Sequence, residues 1–587
     1  MVTTETDVLI IGAGPAGATA AALLSTYGIA NMMVNKYPGV ANSPRAHIVN
    51  QRTMEVFRDL GLEDQAKAWA MPQDVIGTTV WATDLAGKEF GRLQTWYSHP
   101  YWKAEHDLAA ATSICDLPQD RMEPILVTAA ALRGTMYSAN TEFISFVQDV
   151  DGVTSKLVNC VTGQEYEVRS KYLIGADGGR STIVQQLGLP LEGEMGEGGN
   201  INVVFKADLT HLTEHRPADM YWLLQPGVGA MGMGIGVMRM IQPFKRWLAN
   251  WGYDPAEGTP ELTDELGVQI AHRLIGDDSI PVEIESISLW SVNHMNVTDN
   301  MRGRVFVAGD AAHRHTPMHG LGSNTSVQDS FNLAWKLAAV LKGQAGPGLL
   351  ETYRDERVPV ARHLVNRVTR TLGVVPPMFK ALGLPPTADR SAYEAALVEL
   401  EKPTKEAAVM RRELDAAIQG TLTIFNSHGM EMNQAYESPA VVTDGEPAPK
   451  PEKDPEFWYF RSTFPGRHVI HAWMTKDQRK VPVIDLVGKG RFTILTGVAG
   501  GEDWRAAAAK TGAELGVEVT VITIGRGGDY EDSWGTYATD CEVEEDGALL
   551  IRPDHIIGWR AIDSTSAEPR LLATLKQILA LDAHETE

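Results

Sequence analysis

The stretch TDVLIIGAGPAGATAAALLSTYGIANMMVNK, Thr6 to Lys36, reads as a strand, a glycine turn, a helix and a second strand. Residues Thr6–Ile11 form a short buried strand that runs directly into Gly12-Ala13-Gly14-Pro15-Ala16-Gly17. A helix follows over Ala18–Tyr27, and a strand, NMMVN, comes after Gly28. G-x-G-x-x-G between strand and helix is the context in which this motif binds a dinucleotide. Gly12 allows the tight turn, Gly14 lets the backbone approach a pyrophosphate, and Gly17 lets helix pack on strand. The helix N-terminus then presents free N–H groups to phosphate. One part of the pattern is missing. An acid that holds the ribose hydroxyls normally stands about 20 residues on, but this strand ends Val34-Asn35-Lys36. Asn35 can still hydrogen-bond a ribose and Lys36 can meet a 2′-phosphate, so the glycine motif alone leaves the nucleotide open.

The bulk composition narrows the class. A chain of 587 residues exceeds one hydrophobic core, and about three or four folding units are expected at roughly 100–200 residues each. With 44% hydrophobic and 22% charged residues it has the make-up of an ordinary globular protein. A net charge of -23 and the absence of any Lys/Arg-dense segment argue against nucleic acid, whose binders present basic stripes. Cys115, Cys160 and Cys541 lie far apart and form no C-x-x-C, which excludes a disulfide scaffold and cysteine metal sites and fits a reducing cytoplasm. The apolar N-terminal region lacks the basic start of a signal peptide, and no run approaches the ~20 apolar residues of a membrane span. A cytoplasmic protein without a membrane partner is expected.

Further along, YLIGADGGRSTIVQQLGL (Tyr172–Leu189) is a strand ending at Ala176, an Asp177-Gly178 turn and a helix. From Pro190 to Asn296 the texture becomes strand-like: NINVVFKADL, DMYWLLQPG and AMGMGIGVMRMI, with one amphipathic helix around Leu262–Ile275. In the last of these strands Gly232, Gly234 and Gly236 alternate with Met233, Ile235 and Val237. Glycine at every second position strips one sheet face of side chains, either for close helix packing or to make room for a flat ring.

VFVAGDAAHRHTPMHGLGSN (Val305–Asn324) is a buried strand followed by Asp310 and then by His313, His315 and His319. Three histidines so close raise the question of a metal. Pro317, Gly320 and Gly322 prevent one regular helix from aligning them, and no cysteine stands near, so no metal is expected. An amphipathic helix then follows over Thr325–Gly343, with Val327, Phe331, Ala334, Ala338 and Leu341 on its apolar face. Past Leu372 the chain is helical and charged, a Pro-rich linker spans Asp444–Glu456, and Phe457–Glu587 alternates strands and helices as a small α/β unit.

Taken together, G-x-G-x-x-G at Gly12–Gly17, ADGGRS at Ala176–Ser181 and VFVAGDAAHRHTP at Val305–Pro317 resemble, in family order, the three markers of the FAD-dependent aromatic hydroxylases, the single-component group A flavoprotein monooxygenases. PRAHIVNQRTMEVFRDLGL (Pro44–Leu62), CDLPQ (Cys115–Gln119) and EHRPADMYW (Glu214–Trp222) extend the match. ALLIRPDHIIGWRA (Ala548–Ala561) looks like the thioredoxin-like C-terminal domain of the phenol hydroxylase branch; it has no C-x-x-C, so a structural or assembly role is expected rather than thiol–disulfide chemistry. Within that branch the chain is most similar to the 2,4-dichlorophenol 6-monooxygenase type, with the 2-hydroxybiphenyl 3-monooxygenases close behind. The resemblance implies an α/β fold: a Rossmann-like FAD-binding domain with an inserted β-sheet substrate domain, as in p-hydroxybenzoate hydroxylase, and a thioredoxin-like C-terminal domain. The expected boundaries are 1–189 and 297–372 for the FAD-binding domain, 190–296 for the substrate domain, 373–443 for a helical region, 444–456 for the linker and 457–587 for the last domain.

The implied reaction inserts one oxygen of O2 ortho to the hydroxyl of a substituted, chlorophenol-like phenol, giving a catechol at the expense of NADPH or NADH. The flavin carries the difficult chemistry while the protein supplies position, electrostatics and dryness. Attack on the ring is electrophilic, so an acceptor for the phenol proton is needed. Asp219 is the first candidate and His47 the second. Arg239 either pairs with Asp219 or steadies the flavin, and Tyr221, Trp222 and Pro317 line the substrate pocket. For FAD, the resemblance assigns Gly12, Gly14 and Gly17 to the pyrophosphate, Arg45, Gln119 and Asp177 along the cofactor, Asp310 to the ribityl chain, and Pro317, Gly320, Gly322 and Asn324 to the ring. Asn35, standing where the ribose acid is missing, is a cofactor-binding candidate from its position alone. A helix N-terminus at that last turn would stabilise an anionic reduced flavin. A homo-oligomer, dimer or tetramer, is expected from the family. The alternatives are a related flavin hydroxylase acting on 2-hydroxybiphenyl, hydroxyphenylpropionate or a polyketide phenol, and an NAD(P)-binding regulatory module. A flavin halogenase is disfavoured because W-x-W-x-I-P is absent.

Overall fold

The computed structural model describes residues 3–73, 75–225 and 234–581. Pro226, Gly227, Ala230, Met231, Gly232 and Met233 of the strand-like segments named above lie outside the described residues, as do 582–587.

The strand Thr3–Ile11 is the middle of an eight-stranded sheet. It pairs in parallel with Asn31–Val34 on one side and with Glu165–Gly175 on the other, and Val305–Val307 lies parallel beyond the latter. The register aligns Ile11 with Val34 and with Gly175, and Gly175 with Val307. Four segments distant in sequence therefore end at one edge of the sheet. The loops that leave this edge are the glycine turn, Asn35, the Asp177 turn and the Asp310 turn. Ligands of open parallel sheets bind outside this carboxyl edge.

A second eight-stranded sheet is built mainly of antiparallel strands, with Leu191–Lys206 and Glu283–Val297 as its longest pair. It recruits Thr78–Ala82 and Glu89–Gln94 from the first third of the chain, and Thr78–Ala82 runs parallel to Met220–Leu224. Gly236 resolves the alternating-glycine question at its own position. A Cβ there would run into Leu274 of the helix Asp264–Ile275, so the bare position serves close packing of helix on sheet.

The helix Gly322–Leu341 differs from its amphipathic expectation, because Asn324 to Ala339 are all buried. Its polar residues face partners rather than water. Asp329 meets Arg357, and Lys336 meets Glu356, both on the helix Gly348–Thr371. Helices at Arg390–Leu400 and Lys405–Gly420 follow. In the C-terminal region Phe492–Gly497 pairs in parallel with Val519–Ile524 and antiparallel with Ala548–Ile551, which pairs with Ile557–Ala561. The helices Gly501–Leu515 and Ala567–Ile578 pack against each other there. Among the described residues no helix is long and apolar enough to cross a membrane.

Candidate active site

The glycine turn has the form that a pyrophosphate requires. Gly12 adopts φ +104°, where a side chain is strained, and a Cβ on it would meet the Ala176 carbonyl. A Cβ on Gly17 would strike the Gly12 carbonyl, so helix and turn are in direct backbone contact. Gly14 is different: the nearest atom to its Cβ position is Glu123 Oε1 at 3.8 Å, which leaves the backbone open on that side. No side chain caps the helix Pro15–Thr26, so its first N–H groups remain available to an anion.

Around this turn, Asn35 donates its amide to the Gly39 carbonyl at 2.7 Å. Gln119 donates to Glu123 Oε1 at 2.6 Å, and the Arg45 charge acts on Glu123 through space. Burial pushes the Glu123 carboxyl up. Sequence reasoning overlooked Glu123 because it lies inside the helix Gln119–Leu132, far from any glycine motif. Asp177 accepts from the Thr182 and Ile183 N–H groups through Oδ2 and so holds the start of the helix Thr182–Leu187, while its Oδ1 is buried without a partner. Asp310 stands exposed at the end of Val305–Val307, and its carbonyl accepts from Arg314.

The turn before the helix Gly322–Leu341 is locked from two sides. Asn324 donates to Ile48 O at 2.8 Å and to Gly320 O at 2.6 Å, and its Oδ1 accepts the Asn50 N–H at 2.9 Å. Gly320 has φ +62°, and His319, not a glycine, has φ +70°. Such a backbone persists only where its surroundings enforce it. Both His319 ring nitrogens are bonded, to Ser427 Oγ at 2.7 Å and Thr371 Oγ1 at 2.8 Å. His313 instead meets Asp329 at 2.8 Å, and His315 meets the Thr316 carbonyl at 2.7 Å. The three imidazoles share no partner. No side chain caps this helix, so its N-terminus too is open to an anion. Pro317 is exposed at the head of the turn.

Beside these turns is a dense buried polar group. Asp219 is fully buried, accepts the Trp96 indole N–H through Oδ2 at 2.8 Å, and leaves Oδ1 without a partner. Burial, reinforced by the nearby Asp116 charge and opposed by the Trp96 hydrogen bond, raises its carboxyl to about 8. The His47 Nδ1 lies 2.8 Å from Asp116 Oδ2, and the His47 ring stands edge-on to Trp96 at 6.4 Å. Burial first, and then Arg239, lowers the imidazole's affinity for a second proton. Arg239 makes no ion pair with Asp219. It donates to the Pro44 and Arg45 carbonyls and feels Asp116, Asp120 and Asp219 only through space. Trp96 and Asp116 were not singled out from sequence. Asp116 sat within the quoted CDLPQ segment, whereas nothing local marks Trp96.

The pocket-wall assignment needs one correction. Trp222 packs on Trp81 at 4.7 Å and meets Phe425 edge-on at 6.2 Å, on the face that also holds Trp96. Tyr221 points the opposite way, into the core with Trp247, and donates its hydroxyl to Arg216 O at 2.9 Å. Side chains alternate across a strand, so neighbours within Met220–Leu224 cannot share a face. Tyr221 therefore does not line the pocket.

Residues 5–368 match the family model of an FAD binding domain, and residues 462–580 match the C-terminal domain of aromatic-ring hydroxylases. The chain is 49% identical to a 2,4-dichlorophenol 6-monooxygenase of Delftia acidovorans, over 98% of both chains. It is 43% identical to a phenol 2-monooxygenase of a Pseudomonas species, over 96% of this chain and 91% of that one. Among solved structures, the flavin-dependent monooxygenase PieE, in complex with FAD and substrate, superposes with a TM-score of 0.93 at 40% identity, covering 98% of this chain and 99% of that chain.

Proposed function

The chain belongs to the FAD-dependent aromatic-ring hydroxylases, and on that premise we propose that it hydroxylates a substituted phenol ortho to its hydroxyl, giving a catechol with consumption of NADH or NADPH. The relatives named for a chlorophenol and for phenol support a small, single-ring substrate. The observation that carries this reading is the His47–Asp116 pair beside the buried Asp219 carboxyl, within aromatic walls.

Bound FAD supplies hydride acceptance and the activation of O2. The side chains divide the remaining work. Asp116 accepts the Nδ1 proton of His47, which leaves Nε2 as a lone pair, and a neutral imidazole so oriented is the acceptor for the phenol proton. Asp219, raised to about 8, holds its proton at neutral pH. With Trp96 occupying Oδ2, the unpartnered Oδ1 is the edge that can hydrogen-bond the substrate oxygen. The expected order of the two candidates is thereby reversed, His47 as base and Asp219 as donor. Arg239 ties the Pro44–Arg45 backbone to the strand Ile235–Gln242 and so steadies the segment that carries His47. Trp96, Trp222 and Phe425 exclude water, which protects activated oxygen from release as peroxide.

In the same reading Gly12, Gly14 and Gly17 hold the pyrophosphate, Asn35, Arg45, Gln119 and Asp177 lie along the nucleotide, and Asp310 takes the ribityl chain. Pro317, Gly320, Gly322 and Asn324 form the turn under the ring. The decisive experiment supplies the yellow holoenzyme with substituted phenols, NADH or NADPH and isotopically labelled O2, and identifies the products. A catechol carrying one labelled oxygen is expected. Peroxide equal to the nicotinamide consumed, with every phenol tried, would defeat the proposal.

A further inference from the structure

One buried group of side chains is used neither by the dinucleotide turns nor by the proposed chemistry. Glu55, on the helix Gln51–Asp59, is joined by His468 and His555 from two loops of the C-terminal region. All three are buried, and each brings a potential ligand atom within 4.8 Å of the other two. Glu55 Oε2 stands 3.0 Å from His468 Nε2. Two ligands of a tetrahedral zinc sit roughly 3.3 Å apart when each bond is about 2.0–2.1 Å.

The imidazoles around Glu55 are also short of partners. His555 Nε2 lies 3.1 Å from Asp59 Oδ1, and its Nδ1 is buried with no hydrogen bond. His468 Nδ1 is likewise unsatisfied. His471, close enough to feel the Glu55 charge, has neither nitrogen bonded. Buried polar atoms normally find partners, and several orphaned ring nitrogens around one carboxylate call for an occupant.

We propose that Glu55, His468 and His555 form a zinc-binding site that fastens the helix Gln51–Asp59 to the C-terminal region. Two imidazoles and a carboxylate are a donor set that suits zinc. Asp59 completes it from behind: by accepting the His555 Nε2 proton it fixes the tautomer whose Nδ1 is free for the ion. Arg52 hydrogen-bonds Glu55 Oε2 at 2.7 Å. A carboxylate has several acceptor directions, so Arg52 and an ion can share it. The Arg52 charge also offsets Asp59, so that the site keeps the single net negative charge of Glu55.

The test uses chelator-stripped holoenzyme and zinc alone. Titration calorimetry and elemental analysis should give about one zinc per chain, and added zinc should raise the melting temperature. Cobalt in place of zinc should give the visible absorption of a tetrahedral nitrogen and oxygen site. His468→Ala and His555→Ala should each weaken binding about tenfold or more. Glu55→Gln, which keeps side-chain shape, guards against mistaking lost fold for lost binding. The exposed His363→Ala should leave zinc binding unchanged. No zinc above background in the wild type, or equal binding in wild type and both histidine variants, overturns the proposal.

Discussion

Arg552 and Glu356 meet as a two-pronged pair at the seam between the C-terminal sheet and the helix Gly348–Thr371, Nη1 to Oε1 at 2.6 Å and Nη2 to Oε2 at 2.9 Å, with neither side chain exposed. Lys336 adds 2.7 Å to the same carboxylate, and Asp554 takes Arg552 from the other side at 2.6 Å. One residue along the helix, Arg357 binds Asp329 Oδ1 at 2.8 Å. Asp329 Oδ2 in turn accepts the Gly309 N–H and meets His313. A buried chain of charges thus runs from the C-terminal region to the turn that follows Val305–Val307.

Removing one member leaves its partners charged in a dry interior, which typically costs about 3–5 kcal/mol. We expect Arg552→Leu to lower the unfolding free energy by an amount in that range, read as a lower urea midpoint, and to loosen FAD, read as rising flavin fluorescence. An unchanged midpoint would mean that the pair contributes nothing net.

The roles given to His47 and Asp219 make opposite demands on conservative variants. His47→Ala removes the base and should reduce hydroxylation by about a hundredfold or more. Asp219→Asn keeps a neutral donor of the same shape and should remain within about tenfold of the wild type, while Asp219→Ala should lose far more with FAD still bound. The measurement is catechol formed per nicotinamide oxidised. If Asp219→Asn falls as far as His47→Ala, the carboxylate is the base after all.

Two buried carboxyls, Asp219 and Glu431, are each raised by burial to about 8. A carboxyl raised in the folded state binds its proton more tightly there than in the unfolded chain. Its stabilising share is complete below the unfolded value of about 4 and is lost as pH rises through about 8. Between roughly pH 5 and 8 each should therefore subtract about 1.4 kcal/mol of stability per pH unit. Buried histidines whose proton affinity is lowered, His319, His468 and His471 among them, titrate in the opposite sense below about pH 6.5. The stability of the wild type minus that of Asp219→Asn, read from melting curves, is therefore the quantity that should fall by this amount per pH unit across the window. Parallel curves for the two proteins would contradict the assignment.

Gly12→Ala and Gly14→Ala should part company. At Gly12 both the φ of +104° and the Ala176 carbonyl forbid a methyl group, so the fold itself should weaken. At Gly14 a methyl group meets nothing nearer than 3.8 Å, so the protein should fold and melt much as before yet hold FAD poorly. Flavin content of the purified variants, set beside their melting curves, checks both outcomes.

What was legible in the sequence was what local backbone chemistry writes. The three turns at the sheet edge could be found because each needs glycines or an Asp-Gly within a few residues of a strand. Their meeting follows from the parallel register of Ile11, Val34, Gly175 and Val307. Trp96 could not be found, because its partner Asp219 lies 123 residues away and an isolated tryptophan carries no local mark. Glu356 and Arg552, separated by 196 residues, were hidden for the same reason, as was the all-round burial of the helix Gly322–Leu341 that they accompany. Tyr221 is a different kind of miss, since the two-residue period of a strand already separates it from Trp222.

The Trp96–Asp219 hydrogen bond gives the site an optical voice of its own. An indole whose N–H rests on a carboxyl that titrates near neutrality changes its emission as that proton leaves or as a ligand displaces the bond. The spectrum of the protein minus that of Trp96→Phe should therefore follow substrate arrival directly, without a coupled assay and before any oxygen is consumed.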